Sequence, residues 1–485
     1  MFDDGEIVSK RLVKEVPMQF SNQMSVPVSA EQIEREERAA KEFATLLSTA
    51  RSAYDIPRTA FDGYRVKRGL REPDGTGVTA GVTRVGNAHG YVVSEGEKYP
   101  VEGVLEYRGY DMRDLIEHFT AEGRFGFEEC AYLLFFGKLP TRSELAEFND
   151  VLATMRRLPP RFTEDIIMKA PSSSIMNKLQ SAVLSLYAYD PNPDEVTLEN
   201  MLRQSMELVA RLPVIAAQSF AVYRSAFFGK SLNIHNPNDK LSTAENFLRV
   251  LRPHKNYTEE EAHLLDVCLV IHAEHGGGNC STFATRVLSS SGTDTYSAVS
   301  AGIGALKGPR HGGANLKVQQ MFDCIKANVD DFRNEDELTS FLYRILKGEA
   351  NDGSGLIYGM GHAVYTKSDP RAVMLKKYAR KLAYDKGFGE DFELLEAIER
   401  ITPDLFHAYK GTSNDMCANV DLYSGLVYRM LDIPVEMYTP LFTIARVTGW
   451  CAHRMEEYLT SGKIIRPGYK AISKPTPYVD IDDRD

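Results

Sequence analysis

Residues Tyr296–Asn315 read YSAVSAGIGALKGPRHGGAN. Ser297–Lys307 is a helical run rich in Ala and Gly, where missing side chains let another backbone come very close, so tight helix packing within a subunit or between two is expected. The second half is a Gly- and Pro-bounded turn carrying His311, and a further helix is expected from about Ala314. Such a helix points its unpaired N–H groups and positive dipole end at the turn, and that potential disfavours imidazolium. His311 is therefore expected to be neutral at pH 7 and to donate a hydrogen bond to an oxyanion.

Outward from this stretch the chain reads mainly α. Helical patterns punctuated by Pro and Gly run over 112–119, 127–136, 142–157, 176–188, 197–228, 243–251 and 258–274. The clearest later helix is PLFTIARVTGWCAHRMEEYL (440–459). It carries Leu441, Ile444, Thr448, Cys451, Met455 and Leu459 on one face, and Arg446 off that stripe. Strong helix formers without Gly or Pro predict an N-terminal helix over 30–54, after a loose leader. Only 62–110 is β-like, with Gly-rich turns between short Val- and Tyr-containing runs. The tail after Arg466 is either disordered or an arm tied to a neighbour.

The 485 residues carry 57 Lys and Arg against 67 Asp and Glu, a net charge of −10, which opposes binding to nucleic acid or anionic lipid. An anionic small substrate then needs a local arginine clamp, and Arg371, Arg446 and Arg466 lie close to the histidine motifs or on the helix after them. The six cysteines are scattered without a CxxC pair and read as reduced cytosolic thiols. No membrane segment is expected, because the longest apolar candidate, Leu264–Ile271, already contains Asp266. The acidic N-terminus lacks the features of a signal or transit peptide, so a cytoplasmic location is expected.

Four of the eleven histidines fall in Gly-rich segments: His272 and His275 in HAEHGGGN, His311 in GPRHGGAN and His362 in GMGHAVYTKSDPR. A lone histidine is more often structural, but glycines on either side allow close ligand approach. In NVDLYSG, Asp421 precedes a helical pattern, where the simplest reading is an N-cap.

These motifs, with FTIARVTGW (442–450), YRGYDMRDL (107–115) and EECAYLLFFGKLPTRSEL (128–145), occur in an order and spacing that resembles citrate synthase of the Si type, from about Gly90 to Tyr469. The resemblance implies a two-domain, almost entirely helical fold with a short β-containing segment near 62–110. It implies a large domain (61–312 plus 431–485) and a small one (313–430) that closes over substrate, while the leader and helix of 1–60 have no counterpart in the family. It implies condensation of acetyl-CoA with oxaloacetate to citryl-CoA, then hydrolysis to citrate and CoA, with acetyl-CoA as a substrate, no resident cofactor and no metal. By motif position, His311 would steady the thioester enol, Asp421 would take the methyl proton, and His362 would polarise the ketone of oxaloacetate. His275, Asn279, Arg371 and Arg446 would bind oxaloacetate, and Arg466 would reach in from the partner of a homodimer.

The chain departs from the family pattern in SSIM (173–176) for the usual HPM, in Ala418 for the proline before NVD, and in GTSNDMCA (411–418), which leaves Lys410 as the candidate CoA contact. The same motifs fit 2-methylcitrate synthase, which uses propionyl-CoA; one methylene is worth about 1–3 kcal/mol, so sequence leaves that alternative open. A metal hydrolase on His272, His275 and His311 is disfavoured by the three-residue spacing in HAEH, unlike the four of HExxH. A noncatalytic relative is disfavoured by intact His311, His362 and Asp421.

Overall fold

The computed structural model describes residues 30–484 apart from 55, 58, 73–74, 96, 412–415 and 461. The leader before residue 30 and the TSND half of GTSNDMCA (412–415) lie outside the described residues. Two compact units emerge, Thr79–Arg466 and a second made of the residues up to Val78 together with Pro467–Asp485.

In the second unit, α1 (Ala30–Ala53) matches the expected N-terminal helix and is exposed along nearly its whole length. The tail is exposed, with one helical turn at Ile481–Asp483.

The Thr79–Arg466 unit opens with an antiparallel meander, β1 (Gly86–Ser94), β2 (Glu97–Tyr107) and β3 (Tyr110–Asp111). The β-like reading of 62–110 is thus correct only in its second half. Before Gly86 the one pairing among the described residues is an isolated bridge, Arg71 to Gly77. Helices follow: α2 (Met112–Ala121), α3 (Phe127–Phe136), α4 (Arg142–Met155), α5 (Ile175–Leu186), α6 (Leu198–Phe228), α7 (Thr243–Leu251), α8 (Glu259–His272), α9 (Cys280–Ser290) and α10 (Thr295–Leu306). Then come α11 (Ala314–Asn328), α12 (Glu335–Leu346), α13 (Pro370–Asp385), α14 (Gly389–Lys410), α15 (Val420–Met430) and α16 (Tyr438–Thr460).

Local sequence explains where several of these helices start. Thr141 with Glu144, Ser242 with Glu245 and Thr258 with Glu261 form capping boxes that satisfy the first free N–H groups of α4, α7 and α8. The start of α3 has only Gly126 as its cap residue. Asp266, from α8, accepts the N–H groups of Gly126 and Phe127 at 2.6 and 3.2 Å instead.

Helix α16 packs on α6, α8, α9 and α10 at the centre of the unit. It is buried all round rather than along one stripe, so Arg446, expected off the apolar face, is only 1% exposed. The Ala/Gly helix α10 does permit close approach, within the subunit: a Cβ on Gly302 would meet Thr285 Oγ1 at 2.6 Å and Trp450 at 3.1 Å. Helix α6 is long and apolar enough to cross a membrane, contrary to the sequence reading, yet 83% of its most apolar window is buried among the other helices. A second group packs largely on itself: α11 and α13 on α15, α12 on α14, and α14 on α13 and α15.

Candidate active site

His311 sits on the turn between α10 and α11, as its sequence implies. The turn is closed by His311 N–H to Gly308 O (2.9 Å) and Gly312 N–H to Leu306 O (3.0 Å). Its glycines are needed for space and not for unusual angles: Gly313 has φ −85°, and a Cβ on Gly312 would lie 2.4 Å from Leu306 O and 2.8 Å from Thr439 Cγ2. Burial first, and the Arg446 charge second, push the His311 pKa down to about 4. The expected neutral imidazole is supported, chiefly through desolvation.

His311 Nε2 lies 3.0 Å from Ser281 Oγ. That hydroxyl also accepts Trp450 Nε1–H at 3.2 Å and sits 2.9 Å from Asn279 Oδ1. Its single hydrogen serves either Asn279 or His311, so the Ser281 rotor and the His311 tautomer are coupled. Asn279 itself is the N-cap of α9, accepting Ser281 N–H at 3.3 Å. Sequence reading missed Trp450, although it ends the motif FTIARVTGW, and Ser281, two residues beyond HAEHGGGN.

His275 follows α8 on a turn that needs Gly276 at φ +83°. Its ring packs edge-on to His362 and Tyr365, at centroid distances of 5.3 and 5.7 Å, and its buried Nε2 has no hydrogen-bond partner among the described residues. Burial, then Arg371, hold its pKa well below the usual histidine range. His362 stacks on Tyr365 at 4.7 Å, and its Nδ1 accepts the N–H groups of Val364 and Tyr365 at 3.1 and 3.2 Å. Arg371 Nη2 lies 3.3 Å from the other ring nitrogen, Nε2; because a guanidinium only donates, it competes with the two backbone N–H groups for the single acceptor nitrogen of a neutral ring.

Arg371 is gripped by Asp369 through Nε–H to Oδ1 (3.0 Å) and Nη2–H to Oδ2 (2.7 Å). Asp369 also caps α13 and accepts Val420 N–H at 3.2 Å, which ties the arginine to the first turn of α15. Burial alone would lower the Arg371 pKa, but the Asp369 carboxylate more than offsets it. Asp369 is the third residue that sequence reading missed.

Asp421 lies in that first turn but is not the N-cap. Asn419 is: its Oδ1 accepts Asp421 N–H at 3.0 Å. Asn419 also donates Nδ2–H to Gly361 O at 2.8 Å, beside an antiparallel bridge between Met360 and Ala418, so the segments carrying His362 and Asp421 are laced together. The Asp421 carboxylate makes no hydrogen bond with the described residues. Burial pushes its pKa up to about 6 despite the pull of Arg371 and Arg446. Arg446 donates Nε–H to His272 O at 2.5 Å, and burial brings its pKa down to about 10.

These contacts and charge interactions gather His275, His311, His362, Arg371, Asp421 and Arg446 in one place. Two expected residues stay outside. Lys410 is exposed at the end of α14, its Nζ 5.2 Å from the Tyr409 ring, and Arg466 is exposed at the end of the unit. His272 is committed elsewhere: its Nε2 lies 2.8 Å from Tyr428 Oη and its ring 3.7 Å from that of Phe442. Among the described residues no group of three His, Cys, Asp or Glu side chains is arranged to hold a metal ion.

The arrangement combines a carboxylate poised near neutrality, neutral imidazole donors and two buried arginines. It suits proton abstraction next to a carbonyl, beside a site for a carboxylate-bearing partner. Known proteins agree. The chain is 36% identical to the citrate synthase of Synechocystis sp. over 399 residues, covering 81% of this chain and 88% of that one. It is 37% identical over 384 residues to that of Deinococcus radiodurans (79% and 93% covered). The 2-methylcitrate synthase of Shewanella oneidensis is 32% identical over 363 residues (75% and 87%). The citrate synthase of Thermoplasma acidophilum, solved in ternary complex with carboxymethyl coenzyme A and oxaloacetate, superposes with a TM-score of 0.69 at 27% identity, over 86% of this chain and 99% of that one. Residues 76–468 match the family model for the citrate synthase C-terminal domain, and the chain belongs to the citrate synthase family.

Proposed function

We propose that the protein condenses acetyl-CoA with oxaloacetate and hydrolyses the resulting thioester to citrate and CoA. The observation that carries this is that Asp421, a buried carboxylate with a pKa near 6, and neutral His311 both feel the charge of buried Arg446, with Arg371 also acting on Asp421. A thioester methyl is a weak carbon acid, so taking its proton requires the developing enolate oxygen to be stabilised at the same time. Asp421 takes that proton and becomes a carboxylic acid. His311 donates a hydrogen bond to the thioester oxygen from Nδ1, with Ser281 turned to donate to Nε2.

The methyl carbon then bonds to the ketone carbon of oxaloacetate, and the ketone oxygen takes a proton from His362. His275, Arg371 and Arg446 hold the oxaloacetate, and charge-assisted hydrogen bonds of about 1.5–3 kcal/mol each favour a dicarboxylate over a monocarboxylate. Water cleaves the citryl thioester. Closure of residues 313–430 over the site keeps water out until the carbon–carbon bond has formed. In this reading the enzyme works in the cytoplasm as a homodimer, with Arg466 serving the neighbouring subunit's site.

The test is release of CoA thiol from acetyl-CoA and, separately, propionyl-CoA, each with and without oxaloacetate. Release that depends on oxaloacetate, with the higher kcat/KM for acetyl-CoA, is the expected result. A higher value for propionyl-CoA would assign 2-methylcitrate synthase, in keeping with the 32% identical relative. Release without oxaloacetate would mean a thioesterase.

A further inference from the structure

Beside the substrate cluster lies a fully buried carboxylate that the mechanism above does not use. Glu274 stands between His272 and His275 in HAEHGGGN and is 0% exposed. Its Oε1 accepts His453 Nε2–H at 2.8 Å and Gly276 N–H at 2.5 Å. The direction of the first bond is settled from behind, because Arg286 Nη2 donates to His453 Nδ1 at 2.6 Å and leaves the proton on Nε2. Arg286 is itself fixed by Glu456 (2.5 Å) and Glu457 (2.6 Å). A rigid line thus runs from Arg286 through His453 to Glu274, and ends on the backbone of the residue after His275.

Space for the carboxylate is made on both sides. A Cβ on Gly86, at the start of β1, would lie 2.8 Å from Glu274 Oε1, and one on Gly449 of α16 would lie 2.3 Å from Oε2. Oε2 has no hydrogen-bond partner among the described residues. Its side chain nevertheless provides the strongest charge interaction felt by Arg446, which carries no ion-pair partner within 4 Å among the described residues. Arg371 has its own buried carboxylate in Asp369 at 2.7 Å, whereas Glu274 acts on Arg446 as a buried charge at longer range, without a direct ion pair.

We propose that Glu274 is a positioning residue for oxaloacetate: it pins the turn that presents His275 and serves as the buried counter-charge of Arg446. The proposal rests on the functional reading above, and the experiment separates the two. KM for oxaloacetate, KM for acetyl-CoA, kcat and thermal stability are measured for the wild type, Glu274→Ala, Glu274→Gln and Gly86→Ala. Glu274→Ala removes the anchor and raises the oxaloacetate KM about tenfold or more, the scale of one charge-assisted hydrogen bond, while KM for acetyl-CoA at saturating oxaloacetate changes less than about twofold. Glu274→Gln keeps an acceptor for His453 and Gly276, and recovers at least half of that loss on a logarithmic scale. Gly86→Ala crowds the carboxylate without changing its charge and raises the oxaloacetate KM about threefold; if Glu274→Ala does not fold, this variant decides.

An oxaloacetate KM within twofold of wild type in folded Glu274→Ala, or in Gly86→Ala where the first does not fold, overturns the proposal. So does an equal loss in kcat and both KM values, with no recovery in Glu274→Gln. Wild-type protein that releases no CoA with oxaloacetate overturns the functional reading and this proposal with it.

Discussion

The two ends of α16 handle buried charge in opposite ways. Toward its N-terminus, among the described residues, Arg446 makes one hydrogen bond, His275 Nε2 makes none, and no hydrogen bond offsets the burial of the Asp421 carboxylate. Two turns on, Arg286 and Arg454 are both matched by described residues. Arg286 meets Glu456, Glu457 and His453, and Arg454 donates to Thr295 Oγ1 (3.1 Å), Ser289 Oγ (3.2 Å) and Thr293 O (2.7 Å). A buried polar group without a partner is costly, so evolution retains it where a ligand supplies the partner; a fully matched set is architecture. The contrast separates site from scaffold within one helix.

The sharpest way to break the comparison is Asp421→Asn. Loss of the base lowers kcat by about 10²–10⁴-fold, measured as CoA release, while the fold is kept. At pH 8 the variant melts no lower than wild type, because an unmatched buried charge has been removed. At the matched end, Arg286→Ala leaves Glu456, Glu457 and His453 without their cation. It costs about 3–5 kcal/mol of stability in chemical denaturation and loosens the His453–Glu274 line, so the oxaloacetate KM rises while kcat at saturating oxaloacetate changes less than about threefold. If the stability losses were reversed between these variants, the distinction would fail.

Two smaller effects sharpen it. Ser281→Ala removes the hydroxyl coupled to the His311 tautomer and lowers kcat about tenfold at unchanged KM for oxaloacetate. The pH dependence follows from Asp421, whose carboxyl is raised to about 6 in the folded protein against about 3.9 for an unperturbed aspartate. As base it must be ionised, so kcat falls on the acid side with a midpoint near 6. For stability, the folded state holds the proton more tightly, so this group's contribution is fully present below about pH 4 and is lost as pH rises through about 6. Wild type minus Asp421→Asn melting curves at pH 5 and 8 read that slope directly.

The smallest effect is at Ala418. Its neighbours make the bridge hydrogen bonds, Gly361 N–H to Cys417 O and Asn419 N–H to Gly359 O, both 2.8 Å, so the Ala418 N–H is not needed there. Ala418→Pro, the family's usual residue, changes stability by less than about 1 kcal/mol and leaves kcat unchanged.

Much of this was legible in the sequence for identifiable reasons. Helix periodicity, helix-forming composition and Gly/Pro punctuation are local signals, and they placed most helices within two residues of where they lie. The turn at His311 was readable because its glycines and proline are contiguous. The β reading ran too early, since the run before Gly86 has turn residues but, among the described residues, no strand to pair with beyond one bridge. The cap reading of Asp421 taken by itself fails because Asn419, two residues earlier, takes that role with equal local plausibility; the base role came from its motif.

What the sequence determined by itself was the order of helices and the identity and spacing of the motif residues, because those depend on neighbours a few positions away. The tertiary structure decided which of them are matched and which are left for a ligand. Ser281 meets His311 across 30 residues, Asp369 reaches Val420 across 51 and His453 meets Glu274 across 179. The burial that lowers the His311 pKa and raises that of Asp421 is likewise a property of the whole packed unit, since desolvation depends on every helix that excludes water from the site.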